Sequence, residues 1–93
     1  MRIKSTTSFD KAYRKMVRRF PWLQHKIDQA IILLEQDINA TALQTHKLTG
    51  KLFGLFACSC GYDCRIIFAI ETEETTKETF IVLIDLGTHD EVY

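Results

Sequence analysis

Apolar positions along this chain recur with two different periods, and the change falls near residue 50. Phe9, Ala12, Tyr13, Met16, Val17 and Phe20 are three or four residues apart, the spacing of one helix face. Ser8 offers a hydroxyl to cap the start. Phe20-Pro21 predicts the end, because the residue before proline is pushed out of helical backbone. Pro21 suits the first turn of a second helix, which Leu23, Ile27, Ala30, Ile31, Leu34 and Ile38 carry to about residue 37. Two amphipathic helices with almost no linker predict an antiparallel αα-hairpin whose apolar faces need a sheet to cover.

Residues 2–6 alternate weakly and predict a short first strand, and residues 39–50 are polar and read as irregular. Strands are then predicted over 52–59, 64–73 and 79–86, with Gly61-Tyr62-Asp63 turning between the first two and residues 73–78 forming a charged turn. Short links make consecutive strands antiparallel. The expected fold class is α+β. An N-terminal strand and an antiparallel αα-hairpin pack on one face of a twisted, mainly antiparallel four-stranded sheet, as one domain over residues 1–93.

Composition narrows the class. A chain of 93 residues buries roughly 60–65% of its unfolded surface, enough for a modest core. The start carries Arg2 and Lys4 and no apolar leader, and the apolar runs are too short to cross a bilayer. A cytosolic protein without membrane association is expected. Cys58, Cys60 and Cys64 are odd in number, which predicts buried or half-buried free thiols rather than a disulfide framework. Their C-x-C-x3-C spacing lacks the paired knuckles of a structural zinc site, so no metal is expected.

Net charge is zero, but it is unevenly spread. Residues 1–51 hold ten Lys and Arg against four Asp and Glu, and residues 52–93 hold two against eight. Lys11, Arg14, Lys15, Arg18 and Arg19 form a basic helix face. Such asymmetry suits a polyanion partner; a pair of solvated helix faces and an acidic loop is the plainer reading, and charge leaves both open.

Four segments carry candidate chemistry. His46, with Lys47 and Lys51 beside it, precedes the second strand; Asp63 and Arg65 begin the third; His89 and Tyr93 follow the last. That set meets the needs of RNA cleavage through the 2′-hydroxyl: a base for the 2′-OH proton, a cation for the phosphorane, and an acid for the leaving 5′-oxygen. His46 or Asp63 is the candidate base, Arg65 the phosphate clamp, His89 the acid, and Tyr93 a stacking face for a nucleobase. Each has a structural alternative: a solvated loop histidine, a turn aspartate, a cross-strand ion pair, a strand-end histidine and a packed tyrosine.

The successions His46-Lys-Leu-Thr-Gly50, Arg65-Ile-Ile-Phe68 and Gly87-Thr-His89-Asp-Glu-Val92-Tyr93 resemble the H-x-L-x-G, R-I-x-[YF] and G-x-H-x-x-[VL]-[YF] motifs of the RelE/ParE superfamily of bacterial toxins. The resemblance covers essentially the whole chain. It implies a type II toxin, cytosolic and inhibited by a cognate antitoxin, and in RelE-like members an mRNA endoribonuclease at the ribosomal A site that needs no metal or cofactor. His46, Asp63, His89 and Tyr93 fall on site positions of the YafQ-like branch. Ser59 stands where that branch has a further histidine, and Arg65 where arginine-using relatives hold the phosphate. On this reading Lys11, Arg14, Lys15, Arg18, Arg19, Lys47 and Lys51 contact RNA and the ribosome. A ParE-like gyrase inhibitor, or an inactive homologue kept as an antitoxin-binding partner, are the alternatives.

Overall fold

Thr6, rather than Ser8, caps the first helix. Its hydroxyl accepts the Phe9 N–H at 3.1 Å and donates to the Leu83 carbonyl at 2.9 Å. One side chain thereby starts the helix and fixes it to a strand, which a cap two residues later would not do. The computed structural model describes residues 1–93. Strand β1 spans Arg2–Ser5, α1 Thr7–Arg19, α2 Leu23–Gln36, β2 His46–Lys47, β3 Phe56–Ser59, β4 Arg65–Thr72, β5 Thr79–Gly87 and α3 His89–Val92. Single 3-10 turns lie at Thr41–Leu43 and Gly50–Leu52.

Helix α1 stops where Phe20 leaves helical backbone and its N–H bonds the Met16 carbonyl at 2.8 Å. Pro21 and Trp22 make the turn into α2. Both helices bury their apolar stripes on the sheet. Phe9, Met16, Leu23, Ile27 and Leu34 join Cys58, Ile66, Phe68, Ile81 and Leu83 in one core. Phe68 is fully buried and stacks on Phe56, ring centres 5.6 Å apart.

The sheet has five strands in the order β1-β5-β4-β3-β2, one more than expected. The addition is β2, whose two residues pair with Ala57 and Phe56 inside the stretch that reads as irregular. Two residues are too few to show alternation, so the pattern could not mark them. Strand β3 starts at Phe56, four residues late, because a 3-10 turn and Gly54, at φ +95°, occupy the chain before it. Strand β1 runs parallel to β5, and the other pairs are antiparallel.

Register decides what the uncovered face carries. His46 pairs with Ala57, Ala57 with Ile67 and Ile67 with Asp85, so these form one row across the sheet. The neighbouring row is Ser59, Arg65 and Gly87. Side chains two apart on a strand share a face. Arg65 and Ile67 therefore point away from the helices, while Ile66 and Phe68 point into the core.

Cys60 and Cys64 are joined in a disulfide, which overturns the expectation of three free thiols; Cys58 alone stays free, and it is buried. The Gly61-Tyr62-Asp63 turn brings the two Cα atoms to 5.0 Å, and the Cys60 N–H bonds the Cys64 carbonyl at 2.9 Å. That separation is within reach of a bridge. Counting cysteines could not show it, because one pair plus one free thiol also makes three. No helix is long and apolar enough to cross a membrane.

The stacked Phe pair anchors the sheet to the helices, so Phe68→Ala is expected to lower unfolding free energy by about 3–5 kcal/mol in urea denaturation. A loss below about 1 kcal/mol would contradict a close-packed core at this position.

Candidate functional site

The turn after β3 and the segment after β5 are tied together. Asp63, at φ +52°, adopts the left-handed backbone that aspartate tolerates better than most residues. Its Oδ1 accepts the His89 N–H at 3.0 Å. That amide is at the first position of α3, where backbone N–H groups lack helical partners and a carboxylate is favoured.

Two further ties hold α3. The Glu91 carboxylate accepts the Thr88 N–H at 3.0 Å, half of a capping box, and pairs with Arg19 of α1 at 2.9 Å. The Thr88 N–H, with Arg19 adding, holds the Glu91 carboxyl below the usual range. Gly87 is required by close approach: a Cβ there would lie 3.1 Å from Val92 Cγ1 and 3.2 Å from Glu91 Cβ. The Thr88-x-x-Glu91 spacing is itself the sequence mark of this capping box.

Held this way, α3 delivers His89 and Tyr93 to the uncovered face beside His46. The Tyr93 ring meets His89 edge-on at 4.6 Å and His46 at 6.5 Å between centres. Tyr93 Oη lies 3.5 Å from His46 Nε2, at the outer edge of hydrogen-bond reach. Burial pushes the Tyr93 phenol up, and the Arg65 charge opposes the shift. The phenol therefore stays protonated at neutral pH and donates.

His46 is oriented from behind. Its Nδ1 lies 3.0 Å from the Gln44 carbonyl, an atom that only accepts. The neutral ring thus carries its proton on Nδ1 and turns a free lone pair at Nε2 toward Tyr93. Gln44 holds that carbonyl in place at φ +49°, an uncommon backbone for glutamine. No sequence signal marked Gln44.

Arg65 spends one nitrogen on the fold. Its Nη1 donates to the carbonyls of Cys64 at 2.9 Å and Gly61 at 3.3 Å, within the loop that the disulfide closes. Nη2 and Nε make no protein hydrogen bond and are free for an anion. Gln44, Ser59, Tyr62, Asp63, Arg65 and His89 border one open depression. His46, Lys47, Lys51 and Tyr93 border a second. His89 and Tyr93, ring against ring, form the wall between the two.

All five candidate site residues thus meet on one side of the sheet. Asp63 departs from its expected use, because one oxygen serves the His89 amide. The basic face of α1 does not join the group. Lys11, Arg14, Lys15 and Arg18 are exposed on a helix that covers the opposite sheet face, and Arg19 is paired with Glu91. No three His, Cys, Asp or Glu side chains gather as a metal-ligand set.

A family model described as the bacterial toxin of type II toxin-antitoxin systems, YafQ, matches residues 1–93. The chain belongs to the YafQ family. Solved structures agree on the fold. YafQ from E. coli strain BL21(DE3) is 16% identical with a TM-score of 0.78, covering 100% of this chain and 99% of its own. The E. coli DinJ-YafQ complex gives 17% and 0.77 with the same coverage. The YoeB/ParE toxin from Agrobacterium tumefaciens gives 18% and 0.74, covering 96% and 99%. No curated protein matches the sequence.

In this YafQ-family chain the hold on α3 has a pH sign. A carboxyl lowered by its partners stabilises the fold above its ordinary value, about 4.3 for glutamate, and that contribution fades as pH falls through the lower folded value. Acidification through this range is expected to weaken the His89–Tyr93 ring contact, as NMR would read it, and Glu91→Ala, which removes both the Thr88 and the Arg19 partner, to weaken it already at neutral pH. An unchanged contact in Glu91→Ala at neutral pH would show that Glu91 does not hold the segment.

Proposed function

We propose that this toxin is an mRNA endoribonuclease that acts on the ribosome through the RNA 2′-hydroxyl. What supports the reading is the meeting of His46 Nε2, the Tyr93 hydroxyl, the His89 ring and the free side of Arg65 on one open sheet face. His46 Nε2, its lone pair exposed, removes the 2′-OH proton. The 2′-oxygen attacks phosphorus, Arg65 stabilises the charge on the phosphorane, and protonated His89 gives its proton to the departing 5′-oxygen. The products are a 2′,3′-cyclic phosphate and a 5′-hydroxyl. These side chains fill each role that the displacement needs, so the proposed step involves no metal.

Tyr93 has two tasks in this scheme. Its hydroxyl fixes the His46 ring until substrate replaces it, and its ring supplies a face for a base. Asp63 positions His89 through the backbone rather than taking a proton, which narrows the choice of base to His46. His89 Nδ1 lies 3.7 Å from the fully exposed Asp90 carboxylate, beyond hydrogen-bond reach.

Lys47 and Lys51 lie beside His46 and suit the RNA backbone. The exposed Lys11, Arg14 and Arg18, on the helix that covers the other sheet face, suit ribosomal RNA instead, as does Lys15, which borders a depression with Glu91 and Val92 of α3, with Arg19 divided between that task and Glu91. The partner that silences the toxin is a cognate antitoxin, as DinJ is found with YafQ in E. coli. Action on translated mRNA makes the cytoplasm its site of work.

Inducing the protein in bacteria and mapping mRNA 5′ ends against ribosome position tests the proposal. Cuts within translated messages are expected. His89→Ala and Arg65→Ala are each expected to relieve growth arrest and lower cleavage by about 10²–10⁴-fold. Folded variants that stay fully toxic would refute the site assignment, and trapped DNA cleavage complexes without mRNA cuts would point to a gyrase inhibitor.

A further inference from the structure

Tyr62 is 97% exposed and Trp22 68% exposed, an unusual cost for large aromatic rings. They are far apart in sequence, yet both border one depression with Phe20, Asp63 and Thr88. Phe20 and Trp22 meet edge to face at 5.5 Å. The patch adjoins the candidate site directly, since Tyr62 and Asp63 also border the depression that holds Arg65 and His89.

Cations frame these rings. The Arg19 guanidinium sits 4.7 Å from the centre of the Phe20 ring. The Lys26 side chain runs against Gly61, where a Cβ would lie 3.3 Å from Lys26 Cδ, next to Tyr62. The one carboxylate on the patch, Asp63, is engaged by the His89 N–H. Exposed aromatic faces among cations are how proteins hold single-stranded nucleic acid without reading its sequence, because every base offers a π-face. Met16 and Leu23 also line the depression but are buried beneath it, so its exposed rim is aromatic, with Lys26 and the Glu91-paired Arg19 beside it.

We propose that Tyr62 and Trp22 form a stacking platform for the bases of single-stranded RNA flanking the cleaved phosphate, with Lys26 on the strand's backbone. The proposal rests on the ribonuclease reading and extends its substrate contact beyond the reacting nucleotide. Tyr62 takes the first unstacked base beyond Arg65, and Trp22 the next. The disulfide-closed turn carries Tyr62 and Asp63 together, so the platform and the cleavage site are fixed to one another.

Trp22 is the chain's only tryptophan and reports on its own surroundings. The test titrates the full chain with a short 2′-O-methyl oligonucleotide, which lacks the attacking hydroxyl and stays whole, and follows tryptophan emission. Quenching on binding is expected, and Tyr62→Ala is expected to bind about 5- to 150-fold more weakly. Tyr62 has no core contact to lose, so the variant should fold; circular dichroism checks this. An abasic strand of equal length should bind weakly and leave emission unchanged.

Equal quenching by the abasic strand, or unchanged affinity in Tyr62→Ala, would overturn the platform. An emission shift that follows protein concentration without RNA would assign the patch to a second copy and overturn it too. Cleavage of unmodified mRNA on ribosomes is scored separately. Lost cleavage with quenching intact counts against the nuclease reading alone, and intact cleavage without quenching counts against the platform alone.

Discussion

One hydrogen bond ties the turn that leads to Arg65 to the segment that carries His89 and Tyr93. The Asp63 carboxylate, on the turn between β3 and β4, accepts the first amide of α3. Without that tie, His89 and Tyr93 would belong to a loose extension past β5, because a four-residue helix is too short to hold itself. With it, and with Arg19 gripping Glu91 from the far side of the sheet, α3 is clamped between a turn and a helix. The imidazole and phenol then have defined positions opposite His46 and Arg65.

The clamp explains a division of labour among the charged residues. Asp63, Glu91 and Arg19 hold structure, and each is engaged. His46 Nε2 has only the 3.5 Å contact to Tyr93 Oη, and Arg65 Nη2 and Nε make no protein hydrogen bond. Fixed groups surround free ones, the arrangement that lets a site bind charge without reorganising. The disulfide serves the same end by closing the loop whose carbonyls hold Arg65 Nη1.

Much of the fold was legible in the sequence because long elements repeat their pattern. The period of three to four residues in α1 and α2 and the apolar runs of β4 and β5 belong to elements of eight residues or more. What escaped was short or conformational. Strand β2 has two residues, the α1 cap depends on Leu83 from a distant strand, and the Cys60–Cys64 bridge depends on a turn geometry that spacing does not reveal.

The site was legible in part for the same reason. Histidine, arginine and tyrosine carry chemistry in their side chains, so His46, Arg65, His89 and Tyr93 stood out, and register brought them to one face. Gln44 acts through its backbone carbonyl, which every residue possesses, and left no mark. Asp63 was visible, but its task is set by the amide it meets. The basic face of α1 was equally visible and lies on the other side of the sheet, because helical period says which residues share a face but not where that face points.

The claim at the centre is that His46, His89 and Arg65 act on one RNA phosphate through its neighbouring 2′-hydroxyl. The end groups left by the purified toxin on mRNA bound to ribosomes test this most directly. A 2′,3′-cyclic phosphate facing a 5′-hydroxyl, lost when the nucleotide at the cut is 2′-deoxy, is the predicted result. A 5′-phosphate, or cutting that tolerates the deoxy substitution, would contradict it.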